Sequence, residues 1–374
     1  MFLLSRMGIR ERLLQKTGVS MKRRETKKVW VGNVPLGGGA PVSVQSMTCT
    51  KTEDVRGTVD QIQRLEEAGC EIVRVAVPSK EAAKALGTIK KRIGIPLVAD
   101  IHFDYRLALL SIEQGADKIR INPGNIGSRE RVEKILSAAK ERGIPVRIGV
   151  NSGSLEKEIV QKYGGINAAG LVESAISHVR ICEDAGFDDI VLSVKASDVP
   201  LMIETNRMLA DKLNYPIHLG VTEAGTPRSG ILRSAVGIGT LLAEGIGDTI
   251  RVSLTGDPVE EVRAGFDILK ALRLRAHGLT IISCPTCGRM QTDLIPIVQQ
   301  VEKSLSHVKT PITVAVMGCA VNGPGEAKEA DIGVACGKKS ALLFKKGEVI
   351  RKLKEDEIVA VLIEEVNLWD ASNT

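Results

Sequence analysis

The sequence predicts a (β/α)8 TIM barrel followed by a small α+β domain. Between residues 42 and 256 one unit recurs eight times: an apolar, β-rich run, a polar loop and an amphipathic helix. Valine- and isoleucine-rich strands that alternate with helices are typical of a parallel sheet, and eight such units are the number that closes a barrel. Polar residues recur at the carboxyl ends of these runs, and no Gly-x-Gly-x-x-Gly follows the first of them. We therefore favour a barrel over a doubly wound open sheet.

The predicted strands follow one another at regular spacing. They lie at 42–47, 71–77, 96–103, 118–122, 145–151, 189–196, 216–223 and 249–254. The segments between them carry helical periodicity, as in Ile62, Leu65 and Ala68. Several of these segments end on a glycine such as Gly143, where a helix C-terminus favours a left-handed residue.

The composition changes near Gly278, after the helix that closes the eighth unit. The remaining sequence predicts a helix at about 292–305, a hairpin at 341–353 with a Lys-Gly turn, and a final amphipathic helix at about 355–368. The chain is accordingly divided into a basic N-terminal tail, a barrel domain and a small domain. These parts span residues 1–28, 29–278 and 279–374.

Composition and charge exclude several classes of protein. The 374 residues are 43% hydrophobic and 26% charged, which is typical of a folded protein. Aromatic residues make up only 3%, which disfavours the base stacking that many nucleic-acid-binding proteins use. The net charge of +6 arises in residues 1–28, which hold nine Lys or Arg and two Glu. Because the rest of the chain is nearly neutral, any cationic function there must be local.

The sequence also predicts the compartment. No apolar run approaches the ~18 residues that span a bilayer, and the first segment lacks the features of a secretory signal. Seven cysteines in a chain of this length favour a reducing environment over a disulfide framework. We expect a cytoplasmic protein that binds neither membranes nor nucleic acid.

Charged and amide side chains recur where the predicted barrel strands end, which is the face that carries active sites in barrel enzymes. Buried Arg and Lys at such positions are costly unless an anion meets them, and diphosphate matches the guanidinium fork well. Structural salt bridges are the alternative explanation. Glu223 is the one carboxylate at this face in the second half of the barrel, and we assign it general acid–base work. The candidates are Arg74, Asp100, His102, Arg120, Asn122, Arg147, Asn151, Lys195, Glu223, Arg251 and Ser253.

Three cysteines of the small domain indicate a metal site. Cys284 and Cys287 form a Cys-x-x-Cys pair, and Cys319 follows 32 residues later in a glycine-flanked loop. A cubane iron–sulfur cluster would use these three cysteines and leave one iron for another ligand or for substrate. Structural zinc would need a fourth ligand, for which Cys336 is available. A redox-active disulfide is a third interpretation.

Seven motifs, in order along the chain, resemble those of the 4-hydroxy-3-methylbut-2-enyl diphosphate synthase family of the methylerythritol phosphate isoprenoid pathway. The motifs are PVSVQSMT, ADIHFD, RINPGN, RIGVNSGS, VTEAG, SCPTCGR and GCAVNGPGEAKEADIG. The resemblance extends from about Lys22 to Asp370 and lacks the large insertion of the plant-type enzymes. It implies a barrel that holds a cyclic diphosphate and a C-terminal domain that carries a [4Fe–4S] cluster.

The resemblance also implies roles for individual residues. The implied cluster ligands are Cys284, Cys287, Cys319 and Glu326, of which the carboxylate is the displaceable one. The implied diphosphate and hydroxyl contacts are Arg120, Asn122, Arg147, Asn151, Lys195, Arg251 and Ser253. Asp100, His102 and Glu223 would lie near the reacting carbons.

Two further positions are Arg74, which has two interpretations, and Cys49, which departs from the family pattern. Arg74 is a mid-strand residue that is either a deep phosphate ligand or a salt-bridged barrel residue. Cys49 departs from the family pattern, since a polar, Asn-like residue is expected there.

The function implied by the resemblance is a two-electron reductive ring opening and dehydration. It converts 2-C-methyl-D-erythritol 2,4-cyclodiphosphate to 4-hydroxy-3-methylbut-2-enyl diphosphate, with flavodoxin or ferredoxin as the electron donor. The resemblance further implies a homodimer in which the small domain of one protomer covers the barrel of the other. A zinc-stapled nucleic-acid-binding protein on a barrel scaffold is the competing hypothesis. A sulfite- or nitrite-reductase-like enzyme is a second one.

Overall fold

The computed structural model describes residues 21–319, 328 and 330–373. They form two compact units that divide between Arg275 and Ala276. An eight-stranded parallel sheet lies in the first unit and a five-stranded mixed sheet in the second. The predicted fold class, a barrel followed by a small α+β domain, is therefore confirmed.

A short hairpin that the sequence did not predict precedes the barrel. Its antiparallel strands are β1 (Val29–Val31) and β2 (Val34–Leu36). The hairpin side chains Val29, Val31 and Leu36 pack with Ile72, Val98 and Val191 from the barrel strands. The hairpin thus covers the amino-terminal end of the barrel with apolar side chains.

The barrel wall consists of eight strands. They are β3 (Ser43–Met47), β4 (Ile72–Ala76), β5 (Leu97–Asp100), β6 (Lys118–Ile121), β7 (Val146–Asn151), β8 (Ile190–Lys195), β9 (His218–Leu219) and β10 (Thr249–Ile250). Their order in the sheet is β8-β7-β6-β5-β4-β3-β10-β9. A parallel bridge between Leu192 and Ile217 joins the two ends of this order, and the Leu192 amide donates to the Pro216 carbonyl at 2.8 Å. The sheet is therefore closed.

Helices follow the strands and cover the outside of the barrel. They are α1 (Val55–Glu67), α2 (Lys80–Lys90), α3 (Tyr105–Glu113), α4 (Pro123–Ile126), α5 (Arg129–Arg142), α6 (Lys157–Lys162), α7 (Ala168–Asp184), α8 (Val199–Lys212), α9 (Pro227–Ala243) and α10 (Pro258–Ala271). Side-chain caps such as Asp54 and Ser79 accept hydrogen bonds from first-turn amides. As predicted, Gly143 ends α5 in the left-handed conformation. None of the helices in the described residues is both long and apolar enough to cross a membrane.

Alternation along the strands separates two environments. On β6, Ile119 and Ile121 belong to the apolar core between the strands and the helices. Lys118 and Arg120, which alternate with them, point towards the barrel axis. The same alternation on the other strands lines the interior with polar side chains, and it positions the candidate site.

Two sequence expectations differ from the structure. The strands predicted at 216–223 and 249–254 contain only two strand residues each, because the chain leaves the sheet soon after β9 and β10.

Residues 21–28, predicted as part of the tail, contact the barrel. Arg23 pairs with Asp248 at 2.8 Å, and Arg24 donates to the Tyr215 carbonyl at 2.7 Å. Residues 1–20 lie outside the described residues.

The second unit is a mixed sheet packed against two helices. Its elements are β11 (Leu279–Ser283), α11 (Leu294–Ser304), β12 (Ile312–Met317), β13 (Ile332–Gly337), β14 (Ser340–Lys345), β15 (Glu348–Lys354) and α12 (Ile358–Asn373). The strands lie in sequence order, parallel from β11 to β13 and antiparallel from β13 to β15. Lys346 and Gly347, with φ of 47° and 83°, form the predicted Lys-Gly turn of the β14–β15 hairpin.

Candidate active site

Five cationic side chains project into the carboxyl-terminal half of the barrel interior. They are Arg74, Arg120, Arg147, Lys195 and Arg251. All but Arg251 are buried, and the Arg251 side chain is only 15% exposed. Each lies on, or directly after, a different strand at an inward position of the alternation. Barrel closure therefore brings together residues that are up to 177 positions apart in the sequence.

Asp100 is the acidic partner on the β4–β6 side of this group. Its carboxylate lies 3.1 Å from Arg120 Nη1 and 3.7 Å from Arg74 Nε. His102 Nε2 is 3.4 Å away. Burial alone would raise the pKa of Asp100, but Arg74, His102 and Arg120 together hold it well below its usual range. Asp100 therefore remains a carboxylate that orients two arginines.

Glu261 is the acidic partner of Arg251, and the sequence analysis missed it. It lies on α10, and its buried carboxylate is 3.2 Å from Arg251 Nη2. The same carboxylate accepts hydrogen bonds from Ser46 Oγ at 3.0 Å and from the Leu254 amide at 3.0 Å. An acidic residue on the otherwise buried face of a helix was the available signal, since such residues are rarely buried unless paired.

Among the described residues, Arg147 and Lys195 have no comparable carboxylate partner. Two nitrogens of Arg147, Nε and Nη1, are buried and have no hydrogen-bond partner among the described residues. Burial, and then the neighbouring arginines, lower the pKa of both side chains well below their usual values. Five cations thus face two carboxylates, and a bound anion would supply the missing negative charge. The surplus argues against the purely structural salt-bridge alternative.

Two further basic groups lie inside the barrel, and the sequence analysis missed them. Lys118 precedes Arg120 by two residues on β6, and its Nζ is buried without a partner among the described residues. His218 on β9 is also fully buried, and neither ring nitrogen has such a partner. Burial and the surrounding cations lower the pKa of both groups well below their usual values. The alternation of strand residues could have identified Lys118, which shares a face with Arg120.

Interior glycines make room for two of the cations. A Cβ at Gly149 on β7 would lie 2.6 Å from Arg120 Nε. A Cβ at Gly220 would lie 2.6 Å from Lys195 Nζ and 2.7 Å from the Arg251 carbonyl. Contacts this short require displacement of the neighbouring atoms. The two glycines therefore determine where the Arg120 and Lys195 side chains lie.

The variant Gly149→Ala is expected to weaken binding of inorganic diphosphate by roughly ten-fold, because the added methyl group displaces the Arg120 guanidinium. Isothermal titration calorimetry measures the affinity. Gly239→Ala is the matched control, since a Cβ at Gly239 on α9 meets nothing within 4 Å. Equal affinities for the two variants would contradict this role of Gly149.

Two candidate asparagines are linked at the ends of β6 and β7, Asn122 through its side chain and Asn151 through its backbone carbonyl. Asn122 Nδ2 donates to Ser154 Oγ at 3.2 Å, and Ser154 Oγ donates to the Asn151 carbonyl at 3.3 Å. Asn122 Oδ1 also accepts the Gly124 amide at 3.2 Å, which fixes the turn that begins α4. The structure thus joins these two predicted residues through a serine that the sequence analysis did not select.

The other candidates are more exposed than the buried cations. His102 follows β5, and its side chain is 51% exposed. Glu223 is exposed and has a φ of 53°, a left-handed conformation that is uncommon for a residue other than glycine. Ser253 is partly buried after β10. Cys49 is exposed, and Gln61 Nε2 donates to its Sγ at 3.0 Å.

The second unit brings the predicted cysteine loops together. The Gly318 amide donates to Cys284 Sγ at 3.2 Å, and Cys319 is the next residue. The Gln291 amide donates to the Gly318 carbonyl at 3.0 Å, which ties the loop after Cys287 to the loop that contains Cys319. Hydrogen bonds from the backbone and side chain of Arg289 lower the pKa of Cys287, which favours the thiolate.

These residues fit the iron–sulfur cluster that the family resemblance implies. Two loops supply three cysteines, and an amide already donates to one of the sulfurs, a contact that tunes cluster potentials. Within residues 21–319, 328 and 330–373, no three His, Cys, Asp or Glu side chains converge on one ion position. A cubane does not need such convergence, because each cysteine binds a different iron. Glu326, the predicted fourth ligand, lies outside the described residues.

Cys336, the other possible fourth ligand, lies in the hydrophobic core of this unit, against which Cys284 also packs. It belongs to β13, is fully buried and packs in the hydrophobic core. Burial, with smaller contributions from Glu355 and Cys284, raises the pKa of its thiol to about 11.

Comparison with known proteins agrees with both units. Residues 26–266 match the GcpE TIM-barrel domain, and residues 280–368 match the GcpE protein C-terminal domain. The chain belongs to the GcpE family. A GcpE relative from Caldanaerobacter subterraneus subsp. tengcongensis is 60% identical over 344 residues, which cover 92% of this chain and 97% of the relative. One from Clostridium perfringens is 62% identical over 343 residues, which cover 92% and 98%. Both are called 4-hydroxy-3-methylbut-2-en-1-yl diphosphate synthase (flavodoxin).

Membership of the GcpE family confirms the predicted resemblance. It gives no support to the zinc-stapled nucleic-acid-binding alternative. The sulfite- or nitrite-reductase-like alternative likewise receives no support from it.

Proposed function

We propose that this chain converts 2-C-methyl-D-erythritol 2,4-cyclodiphosphate to 4-hydroxy-3-methylbut-2-enyl diphosphate. Two electrons and accompanying protons enter, a C–O bond of the cyclic diphosphate breaks to open the ring, and a hydroxyl group leaves as water. The observation that carries the proposal is the surplus of buried cations over carboxylates inside the barrel. The relatives that share about 60% of the sequence support it by their name.

The cations bind and orient the diphosphate. The bound diphosphate would lie among Arg120, Arg147 and Lys195 and would neutralise their charge. Arg74 and Arg251 lie beside these three residues. Guanidinium groups offer paired donors that match phosphate oxygens. Asp100 orients Arg74 and Arg120 in advance, and Glu261 orients Arg251. These arginines therefore stabilise the charge that develops on the diphosphate as the ring opens. Asn122, Asn151 and Ser253 supply neutral contacts to the diphosphate and hydroxyl groups.

The acidic residues differ in role. Asp100 holds Arg74 and Arg120. His102 is more exposed and lies beside Asp100, and it would lie near the reacting carbons of the substrate. Glu223, exposed beyond β9, gives the proton that accompanies the loss of hydroxyl as water.

Cys284, Cys287 and Cys319 would hold a [4Fe–4S] cluster, with Glu326 as the displaceable fourth ligand. When bound, this cluster supplies single electrons and a Lewis-acidic iron. A flavodoxin, or a ferredoxin, delivers the electrons. The enzyme acts in the cytoplasm as a homodimer, in which the small domain of one protomer serves the barrel of its partner.

The first experiment is anaerobic purification followed by metal analysis, visible spectroscopy and assay. We expect a brown protein with a broad band near ~400 nm and about four irons per chain. Reduced flavodoxin should support conversion of the cyclic diphosphate. A colourless protein with stoichiometric zinc after anaerobic reconstitution would contradict the cluster, and a loaded protein that leaves the cyclic diphosphate unchanged would contradict the reaction.

A further inference from the structure

We propose that Glu156, Ser174 and His178, here called the Glu156 cluster, position two loops that bind the diphosphate substrate. The first loop is defined as residues 122–126, which follow β6 and include the short helix α4, and the second as residues 151–156, which begin with the last residue of β7. This inference rests on the proposed function, because the loops carry Asn122 and Asn151. The cluster lies behind these loops, and its members are positioning residues.

The Glu156 cluster is a closed set of short contacts on the outer side of the barrel. Glu156 Oε1 lies 2.8 Å from His178 Nε2, and Ser174 Oγ donates to Glu156 Oε2 at 2.8 Å. Ser174 and His178 are four residues apart on α7, so they face the same direction. Both are buried, while the Glu156 side chain is 26% exposed. One carboxylate thus fixes the end of the second loop to a buried face of a long helix.

The same carboxylate packs against the first loop. A Cβ built at Gly124 would lie 3.0 Å from Glu156 Oε1 and 3.4 Å from Asn122 Oδ1. Because Gly124 has no side chain, the Glu156 carboxylate can approach this turn closely. The Gly124 amide donates to Asn122 Oδ1 in the same turn. Ser154, two residues before Glu156, receives the hydrogen bond from Asn122. Asn122 and Asn151 consequently lie on loops that meet at Glu156.

The charge on Glu156 makes this support robust. Burial by itself would raise its pKa, but hydrogen bonds from His178, its own backbone amide and Ser174 hold the pKa at about 2. The group is therefore a carboxylate at neutral pH. Charge-assisted hydrogen bonds of this kind are shorter and stronger than neutral ones, which suits a group that must fix a loop.

The test is the variant His178→Phe, which keeps a ring on α7 but removes the donor to Glu156. We expect the KM for the cyclic diphosphate to rise about ten-fold while kcat stays within about two-fold, because the loops bind the substrate less well. His178→Gln, which restores a donor, should recover most of the lost affinity. If His178→Phe does not fold, Ser174→Ala is the substitute variant. It removes only one hydroxyl group, and we expect it to raise KM by about three-fold.

Glu173→Gln is the matched control. Glu173 lies on the same helix, and it binds Lys162 Nζ and Tyr163 Oη, neither of which belongs to the two loops. This variant should leave KM and kcat unchanged. A rise in KM equal to that of His178→Phe would mean that any loss of contact on α7 has this effect, and it would overturn the proposal.

A double-mutant cycle separates positioning from general destabilisation. In an Asn122→Ala background, His178→Phe should have a smaller effect on KM, because part of what the cluster positions is already absent. Fully additive effects would overturn the inference.

If the wild-type enzyme binds neither inorganic diphosphate nor the cyclic substrate, the proposed function fails. If it turns the substrate over and His178→Phe behaves like wild type, this inference alone fails.

Discussion

The variant Cys284→Ala, purified without oxygen, is expected to lose its brown colour and its activity. Cys284 is partly buried beside Gly318, whose amide donates to its sulfur. No other thiol among the described residues accepts this hydrogen bond. Iron should fall well below the about four atoms per chain of the wild type, because one of three cysteine ligands is missing. Turnover of the cyclic diphosphate with reduced flavodoxin should fall to the background of the assay. Iron analysis, the visible spectrum and the assay measure the three effects.

Cys336→Ala is the matched control for this variant. The residue has the same type and lies in the same unit, but its thiol is buried in the hydrophobic core. We expect a loss of about 1 kcal/mol in the free energy of unfolding from the small cavity, with iron and activity retained. If Cys336→Ala removed the metal as completely as Cys284→Ala, a four-cysteine site would replace the proposed cluster.

The variant Arg147→Met is expected to raise stability and to impair substrate turnover at the same time. Two nitrogens of the buried Arg147 side chain have no partner among the described residues, and burial and the neighbouring arginines lower its pKa. Replacing a buried, poorly compensated charge with an apolar side chain of similar volume stabilises proteins by about 1–4 kcal/mol. The loss of charged hydrogen bonds to the diphosphate, about 3 kcal/mol, corresponds to a fall of roughly 100-fold in kcat/KM.

Calorimetry and steady-state kinetics on the same preparations test both parts. A gain of several degrees in Tm is expected for a barrel of this size, at about 2–4 °C per kcal/mol. Arg56→Met serves as the control, since the Arg56 side chain is 89% exposed on α1, and neither Tm nor kcat/KM should change. A lower Tm with unchanged kcat/KM would show that Arg147 serves the fold and is no part of the diphosphate site.

Much of the site followed from local patterns in the sequence. Arg120 and Asn122 alternate with isoleucines on β6, so their place inside the barrel could be predicted. The same alternation would have identified Lys118, had it been applied to the whole strand. The Cys-x-x-Cys pair and the glycine-flanked Cys319 likewise predicted two loops that meet, and the Gly318 amide now joins them.

Pairings between distant residues could not be predicted in this way. Arg251 follows β10 and Glu261 lies on α10. The pattern of neither segment predicts that the two side chains form an ion pair. Ser174 and His178 read as ordinary positions on an amphipathic helix until Glu156 is placed against them. Gly149 reads as a weak point in a strand, whereas the structure shows that it leaves room for Arg120.

The sequence by itself determined the eight-unit barrel, the small domain after it, the sign of the charge inside the barrel and the family. Only the tertiary structure decided which cations have carboxylate partners, which lack them, and what supports the loops that carry the amides. The physical reason is range. The periods of strands and helices are set by neighbouring residues, so a sequence displays them directly. Contacts across the barrel depend on its closure and on the space between side chains, which a linear pattern does not record.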